Sequence, residues 1–173
     1  MGNCGLIRAI VLAELAAAAT VGGSSEAAFT RSAFPPAAED SASTVPWDAK
    51  QLVEPSQLAQ ELTAPEGSKP LVVCVGFEFL YQSAHIPGAV LYGPGREASG
   101  LKALEDGARG WPRNRNIVIY CGCCPMKQCP NLQPAYRALA GMGFMRLRVL
   151  DLQHDFRQDW LQEGLPTEKG SQK

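Results

Sequence analysis

"NIVIYCGCCPMKQCPN", residues 116–131, decides how this chain reads. It opens as an apolar run with the look of a strand buried on both faces. It then enters a loop holding Cys121, Cys123, Cys124 and Cys129, with Pro125 and Pro130 between and behind them. After the loop, "PAYRALAGMGF" (134–144) reads as a helix, with Pro134 suited to its first turn and Gly141 or Gly143 to its stop. "LRVLDL" (147–152) is the next strand. A buried strand, a loop, a helix and a second strand make one unit of a parallel sheet.

Working outward, the same alternation continues. "EPSQLAQEL" (54–62) carries Pro55 and Ser56 as helix-start signals, and Leu58 and Leu62 lie one turn apart. "KPLVVCVG" (69–76) is an apolar run closed by glycine, and "AHIPGAVLYG" (84–93) is a Pro-Gly turn leading into a short strand. "GLKALEDGARG" (100–110) reads as a short helix, and "FRQDWLQEG" (156–164) as a final helix before Pro166. The predicted class is α/β, a parallel β-sheet with helices on both faces. Ligands of such sheets bind beyond the carboxyl ends of the strands, which is where the cysteine loop lies.

Composition narrows the possible functions. An apolar fraction of 46% over 173 residues is enough for one packed core, and it argues against a disordered chain. A net charge of -1 gives no electrostatic case for nucleic acid or for an anionic membrane surface. The first residues differ from the rest. Arg8 precedes an alanine-rich run from Ala9 to Val21, the layout of a signal peptide and too short for a stable membrane span. Residues 1–28 are therefore expected to direct export to a periplasmic or secreted location, and without that role the protein would be cytoplasmic. Acylation at Gly2 and Cys4 is the minor alternative, because Leu6 stands where that motif wants Ser or Thr. Residues 29–45 read as a linker, 46–168 as the folded domain and 169–173 as a tail.

The loop's residues suggest thiol chemistry. A thiol near neutral pH is a strong nucleophile only when its pKa is lowered, and a loop curling into a helix N-terminus can supply convergent backbone N–H groups. Cys121, first in the loop at the strand tip, is the expected nucleophile. Gly122, Cys123, Cys124, Met126 and Lys127 are expected to bind substrate, Lys127 as the one cation in the loop. Cys123, Cys124 and Cys129 are candidates for redox chemistry. Cys129 is expected to pair with Cys123 or Cys124 and brace the loop, leaving Cys121 free, since a bridge between adjacent residues is strained. The rival expectation is that one of these thiols resolves a Cys121 persulfide. Four thiols could also hold metal, although the adjacency of Cys123 and Cys124 does not suit zinc spacing. Cys74 reads as a core thiol, His85 as a turn-shaping residue, and Trp47, Trp111 and Trp160 as packing.

Three ordered motifs give the chain a resemblance to the rhodanese (sulfurtransferase) domain family. "LVVCVGFEFLYQSAHIPGAV" (71–90) is similar to that family's first signature. "IVIYC" with the loop, "RALAGMGF" and "LRVLDL" resembles its catalytic strand–loop–helix–strand. "DWLQEGLPTE" (159–168) is similar to its closing Trp-x-x-x-Gly-Leu-Pro. The chain departs from the family in four places, one of them Leu80, which stands where an acid is common. Cys74 and Gly76 replace the usual Asp and Arg, the loop is longer, and its arginine is missing, leaving Lys127 as a candidate substitute. The resemblance implies a rhodanese-like fold and a sulfurtransferase in which Cys121 carries sulfur as a persulfide. Sulfur would pass from a small-molecule donor such as thiosulfate to a thiol or cyanide acceptor. No cofactor, no resident metal, no nucleic-acid partner and no stable membrane insertion are expected. The alternatives are a non-enzymatic metal or sulfur carrier and, with Lys127 at the phosphatase arginine's spacing, a cysteine-dependent phosphatase.

Overall fold

The computed structural model describes residues 45–170. The expected leader (1–28) and, apart from Val45, the linker lie outside the described residues, as do the last three positions of the tail. No helix among the described residues is long and apolar enough to cross a membrane.

Five parallel strands form one sheet: β1 (Leu52–Val53), β2 (Leu71–Cys74), β3 (Val90–Leu91), β4 (Asn116–Tyr120) and β5 (Arg146–Leu150). Their order across the sheet is β1-β5-β4-β2-β3, which makes β4 the central strand. The helices are α1 (Pro55–Glu61), α2 (Glu78–Ser83), α3 (Ala98–Ala108) and α4 (Leu132–Gly141). A π-helical turn at Arg157–Leu161 stands where the sequence suggested an ordinary final helix.

The two-residue period of β4 sorts its side chains between two cores. Ile117 and Ile119 pack with Leu104 and Ala108 of α3 and with Leu132, Ala135, Tyr136 and Leu139 of α4. Those α4 positions follow the three-and-four spacing of one helical face. Val118 and Tyr120 face the other way, against Leu58 of α1, Tyr81 of α2 and Trp160. With both faces covered, β2 and the inner positions of β4 are apolar throughout, and this is why those runs read as continuous, whereas β5 keeps Arg148, which pairs with Glu61 of α1. Two elements gave no sequence signal. β1 is two residues long, and α2 is a six-residue helix whose only buried member is Tyr81.

The C-terminal segment closes over the α2 side. His85 and Glu168 exchange both backbone hydrogen bonds at 2.9 Å. The His85 ring is buried and stacked on Tyr81, and its Nδ1 lies 2.7 Å from the Tyr81 carbonyl oxygen. These contacts give His85 a structural role at the turn. Trp160 is fully buried and donates its indole N–H to the Pro166 carbonyl at 2.9 Å.

One close approach sets the spacing at the sheet's carboxyl edge. A Cβ on Gly76 would lie 2.3 Å from the Cys121 carbonyl oxygen, so no side chain fits there while β2 and β4 remain paired. Gly76→Ala is expected to destabilise the protein by about 2 kcal/mol through this overpacking, read as a lower urea midpoint. An unchanged midpoint would show that the strand ends can spread.

Candidate functional site

β2 and β4 run side by side to the pair Cys74↔Tyr120, and from there their crossovers diverge. The chain leaves β2 for β3 on one side and leaves β4 for β5 on the other. Such a divergence opens a crevice beyond the strand ends. A cavity of 320 Å³ lies there, bordered among others by Cys74, Tyr81, Cys121, Cys123, Phe156 and Arg157. That is the small end of the range for ligand sites, suited to a compact ion rather than a large cofactor.

The loop is held by its turn residue and by the segment after β5. Gly122 has φ +83, a conformation that disfavours any Cβ, and a Cβ there would meet Phe156 Cβ at 2.9 Å. The Gly122 carbonyl accepts the Phe156 N–H at 3.1 Å, and Met126 N–H donates to the Leu152 carbonyl at 2.9 Å. A short 3₁₀ turn, Met126–Gln128, then leads towards α4.

This turn gathers the thiols. Cys121 and Cys123 have their sulfurs 3.2 Å apart, and Cys123 and Cys124 likewise 3.2 Å. The sulfurs of Cys121, Cys123 and Cys129 all lie within 4.8 Å of one another. Cys121 and Cys129 are buried, whereas Cys123 and Cys124 are half-buried. Hydrogen bonding with Cys121 first, then with Cys129 and Cys124, pulls the Cys123 pKa well below that of an ordinary thiol. Its partners move the opposite way. Cys121 is raised, first by its bond to Cys123 and then by burial, with Cys129 and Asn131 opposing. Cys129 is raised by its bonds to Cys121 and Cys123, and Cys124 is pushed up to about 11, mainly by burial. The opposite shifts come from shared hydrogen bonds, so the first ionisation belongs to the group of thiols. The expectation was of a lowered Cys121; the lowered direction falls on its hydrogen-bonded neighbour Cys123.

Asn131 is the polar residue that the sequence reading passed over. It is almost wholly buried, and its Nδ2 donates to the Cys121 sulfur at 3.2 Å. Its Oδ1 accepts the Arg96 backbone N–H at 3.2 Å. A backbone N–H can only donate, so Arg96 fixes which end of the amide faces the sulfur.

The other expected residues separate. Gly122 and Cys123 join Cys121 in the cavity wall, but Cys124, Met126 and Lys127 do not. Met126 is buried in the α3/α4 core, its long apolar side chain filling space under the loop. Lys127 is exposed on the 3₁₀ turn, so Arg157 is the cation that borders the cavity. Neighbouring Asp155 is engaged at a backbone, accepting the Gln158 N–H at 2.8 Å. Arg157 follows the turn after β5, far from the loop in sequence, and no local pattern marks it. Cys129 stands in one group with Cys121 and Cys123, not in a pair that leaves Cys121 out, and all five described cysteines are thiols. The three gathered sulfurs are the atoms here that could hold a thiophilic metal ion. Cys74 borders the cavity with its pKa raised to about 12 by burial, and so stays a neutral core thiol.

No protein-family model matches the chain, and no curated relative does. Solved structures do. A rhodanese-like domain from Anabaena sp. superposes with a TM-score of 0.50 at 21% identity, covering 69% of this chain and 79% of that one. The rhodanese-like fold is the fold of this chain. A Bacillus halodurans protein matches with a TM-score of 0.52 at 22% identity, over 68% of this chain and 75% of its own. A 3-mercaptopyruvate sulfotransferase of Escherichia coli, described as having the rhodanese fold, matches with a TM-score of 0.50 at 18% identity, over 71% of this chain and 53% of that one. In this rhodanese-like chain the cysteine loop occupies the carboxyl end of the central strand.

The charge distribution is open to a direct check. Iodoacetamide at pH 6 is expected to alkylate Cys123 ahead of Cys121, Cys124 and Cys129, as mapped by tandem mass spectrometry, because the thiolate is the reacting form. Earlier labelling of Cys121 would reassign the charge.

Proposed function

We propose that this protein is a sulfurtransferase that carries sulfane sulfur on Cys121. The observation that carries the reading is the thiol of Cys121 at the cavity wall, 3.2 Å from the Cys123 sulfur and from Asn131 Nδ2. It is supported by the rhodanese-like fold.

A donor such as thiosulfate would enter beside Arg157. As Cys121 Sγ attacks the donor's outer sulfur, its proton passes to the Cys123 thiolate. The sulfur–sulfur bond of the donor breaks, and sulfite leaves with the electron pair. Cys121 then bears a persulfide anion, with Asn131 Nδ2 as a hydrogen-bond donor beside it. A thiol or cyanide takes the outer sulfur, and Cys121 regains its proton from Cys123. Covalent transfer of this kind divides one difficult step into two.

A second reading is a carrier of a soft metal ion, favoured by the three sulfurs within 4.8 Å. Metal analysis of protein purified without chelator separates the two. The phosphatase reading has less support, since Lys127 is exposed and outside the cavity wall.

Thiocyanate formation from thiosulfate and cyanide tests the main reading. Cys121→Ser is expected to abolish it, and full activity in that variant would end the proposal. Arg157→Ala is expected to raise KM for thiosulfate by about fivefold with kcat little changed, the pattern of an ion contact made equally in ground and transition states. Unchanged kinetics would remove Arg157 from donor binding.

The pH dependence follows from the direction of the Cys123 shift. A lowered pKa in the hydrogen-bonded Cys121–Cys123 pair keeps one charge shared between the two sulfurs as pH falls, so sulfur loading should persist below the ordinary thiol value of 9.0. In Cys123→Ser the Cys121 thiol must ionise unaided. Loading at pH 7 is expected to fall about 100-fold and its profile to move alkaline. An unmoved profile would exclude Cys123 as the base.

A further inference from the structure

The sulfurtransferase reading gives Cys123 a proton after sulfur loading but no further task. Its position suggests one. Cys123 is two residues from Cys121, and in an extended strand such residues share a face without their sulfurs meeting. Gly122 with φ +83 curls the chain between them and brings the sulfurs to 3.2 Å. A disulfide needs about 2 Å, a gap that rotation of two side chains can close. Cys123 is half-buried and borders the same cavity as buried Cys121, so a group expelled from Cys121 has an exit.

Resting on that reading, we propose a second activity: Cys123 discharges the Cys121 persulfide within the chain, releasing sulfide and leaving a Cys121–Cys123 disulfide. The step balances without an outside oxidant. The terminal persulfide sulfur takes the proton held by Cys123. Cys123 Sγ then attacks Cys121 Sγ, the inner sulfur, and a new sulfur–sulfur bond forms between the two cysteines. The bond from Cys121 Sγ to the outer sulfur breaks, and that sulfur leaves as HS⁻ with the electron pair. The sulfane sulfur is reduced to sulfide, and the two cysteines are oxidised. A thiol reductant must reopen the bridge before another cycle.

Cys123 is the thiol aimed at the inner sulfur. Cys124 lies against Cys123 rather than Cys121, and Cys129 is fully buried and outside the cavity wall. The protein would therefore act as a thiosulfate-consuming, sulfide-releasing enzyme when no external acceptor is present, and as an ordinary sulfurtransferase when one is.

The test is a single turnover of fully reduced protein with thiosulfate and no acceptor, followed by sulfide assay and intact-mass analysis. The wild type is expected to release one sulfide per chain and to lose two hydrogens. That loss should map to the tryptic peptide from Asn116 to Lys127, which holds Cys121, Cys123 and Cys124. Cys123→Ser, loaded at alkaline pH, is expected to keep the mass of one added sulfur, release no sulfide, and yield thiocyanate when cyanide is added. That thiocyanate shows the variant folded and loaded. A wild type that keeps the added sulfur without a bridge overturns the proposal and leaves the sulfurtransferase reading standing. So does sulfide release that survives Cys123→Ser but is lost in Cys129→Ser, or added sulfur found on Cys123. Failure of every form to take up sulfur overturns the sulfurtransferase reading and this proposal with it.

Discussion

The paired carboxyl ends of β2 and β4 are the constraint on which the site depends. A Cβ at residue 76 would stand 2.3 Å from the Cys121 carbonyl oxygen, so the glycine lets the two strands stay in register up to the nucleophile. The diverging crossovers begin at that point and leave the crevice open. Because β4 is central and covered on both faces, Cys121 stands at the end of a fully packed strand, while the loop beyond it carries the other thiols.

The loop's four cysteines are not equivalent, and packing makes them differ. Cys121 and Cys129 belong to the α3/α4 core, whereas Cys123 and Cys124 reach partial exposure. Burial alone would leave all four as neutral thiols. Hydrogen bonding among the gathered sulfurs changes this: a first ionisation shared within the group becomes favourable, and each further one becomes harder. A cluster that shares one charge can move a proton between sulfurs without calling on a histidine. Accordingly, His85 is occupied elsewhere, stacked on Tyr81 beneath the C-terminal segment.

Polar support for Cys121 comes from outside the loop's own cysteines. Asn131 bridges the Cys121 sulfur and the Arg96 backbone, tying the site to the chain that enters α3. The cation at the cavity belongs to the turn after β5, not to the loop. Lys127, the loop's own cation, stands outside the cavity wall. The loop's extension packs downward through Met126 and Cys129, and it leaves the cavity to Cys121, Gly122 and Cys123.

The amino-acid sequence determined the parallel sheet, because the central strands, buried on both faces, read as near-continuous apolar runs and the helices between them show a three-and-four period. It also determined that the loop after the central strand carries the thiols, because a strand end at a glycine-bearing turn is visible as a pattern. Short elements escaped it: β1 has two residues and α2 one buried side chain, too few to show a period. Tertiary structure alone decided which sulfurs meet, since that depends on distances among four thiols of identical chemistry. It also decided that Lys127 stays outside the cavity wall while Arg157 enters it, and that Asn131 reaches Cys121. Arg157 lies a helix and a strand beyond the loop, and Asn131 reaches Cys121 only through the loop's own curl, so local pattern records neither contact.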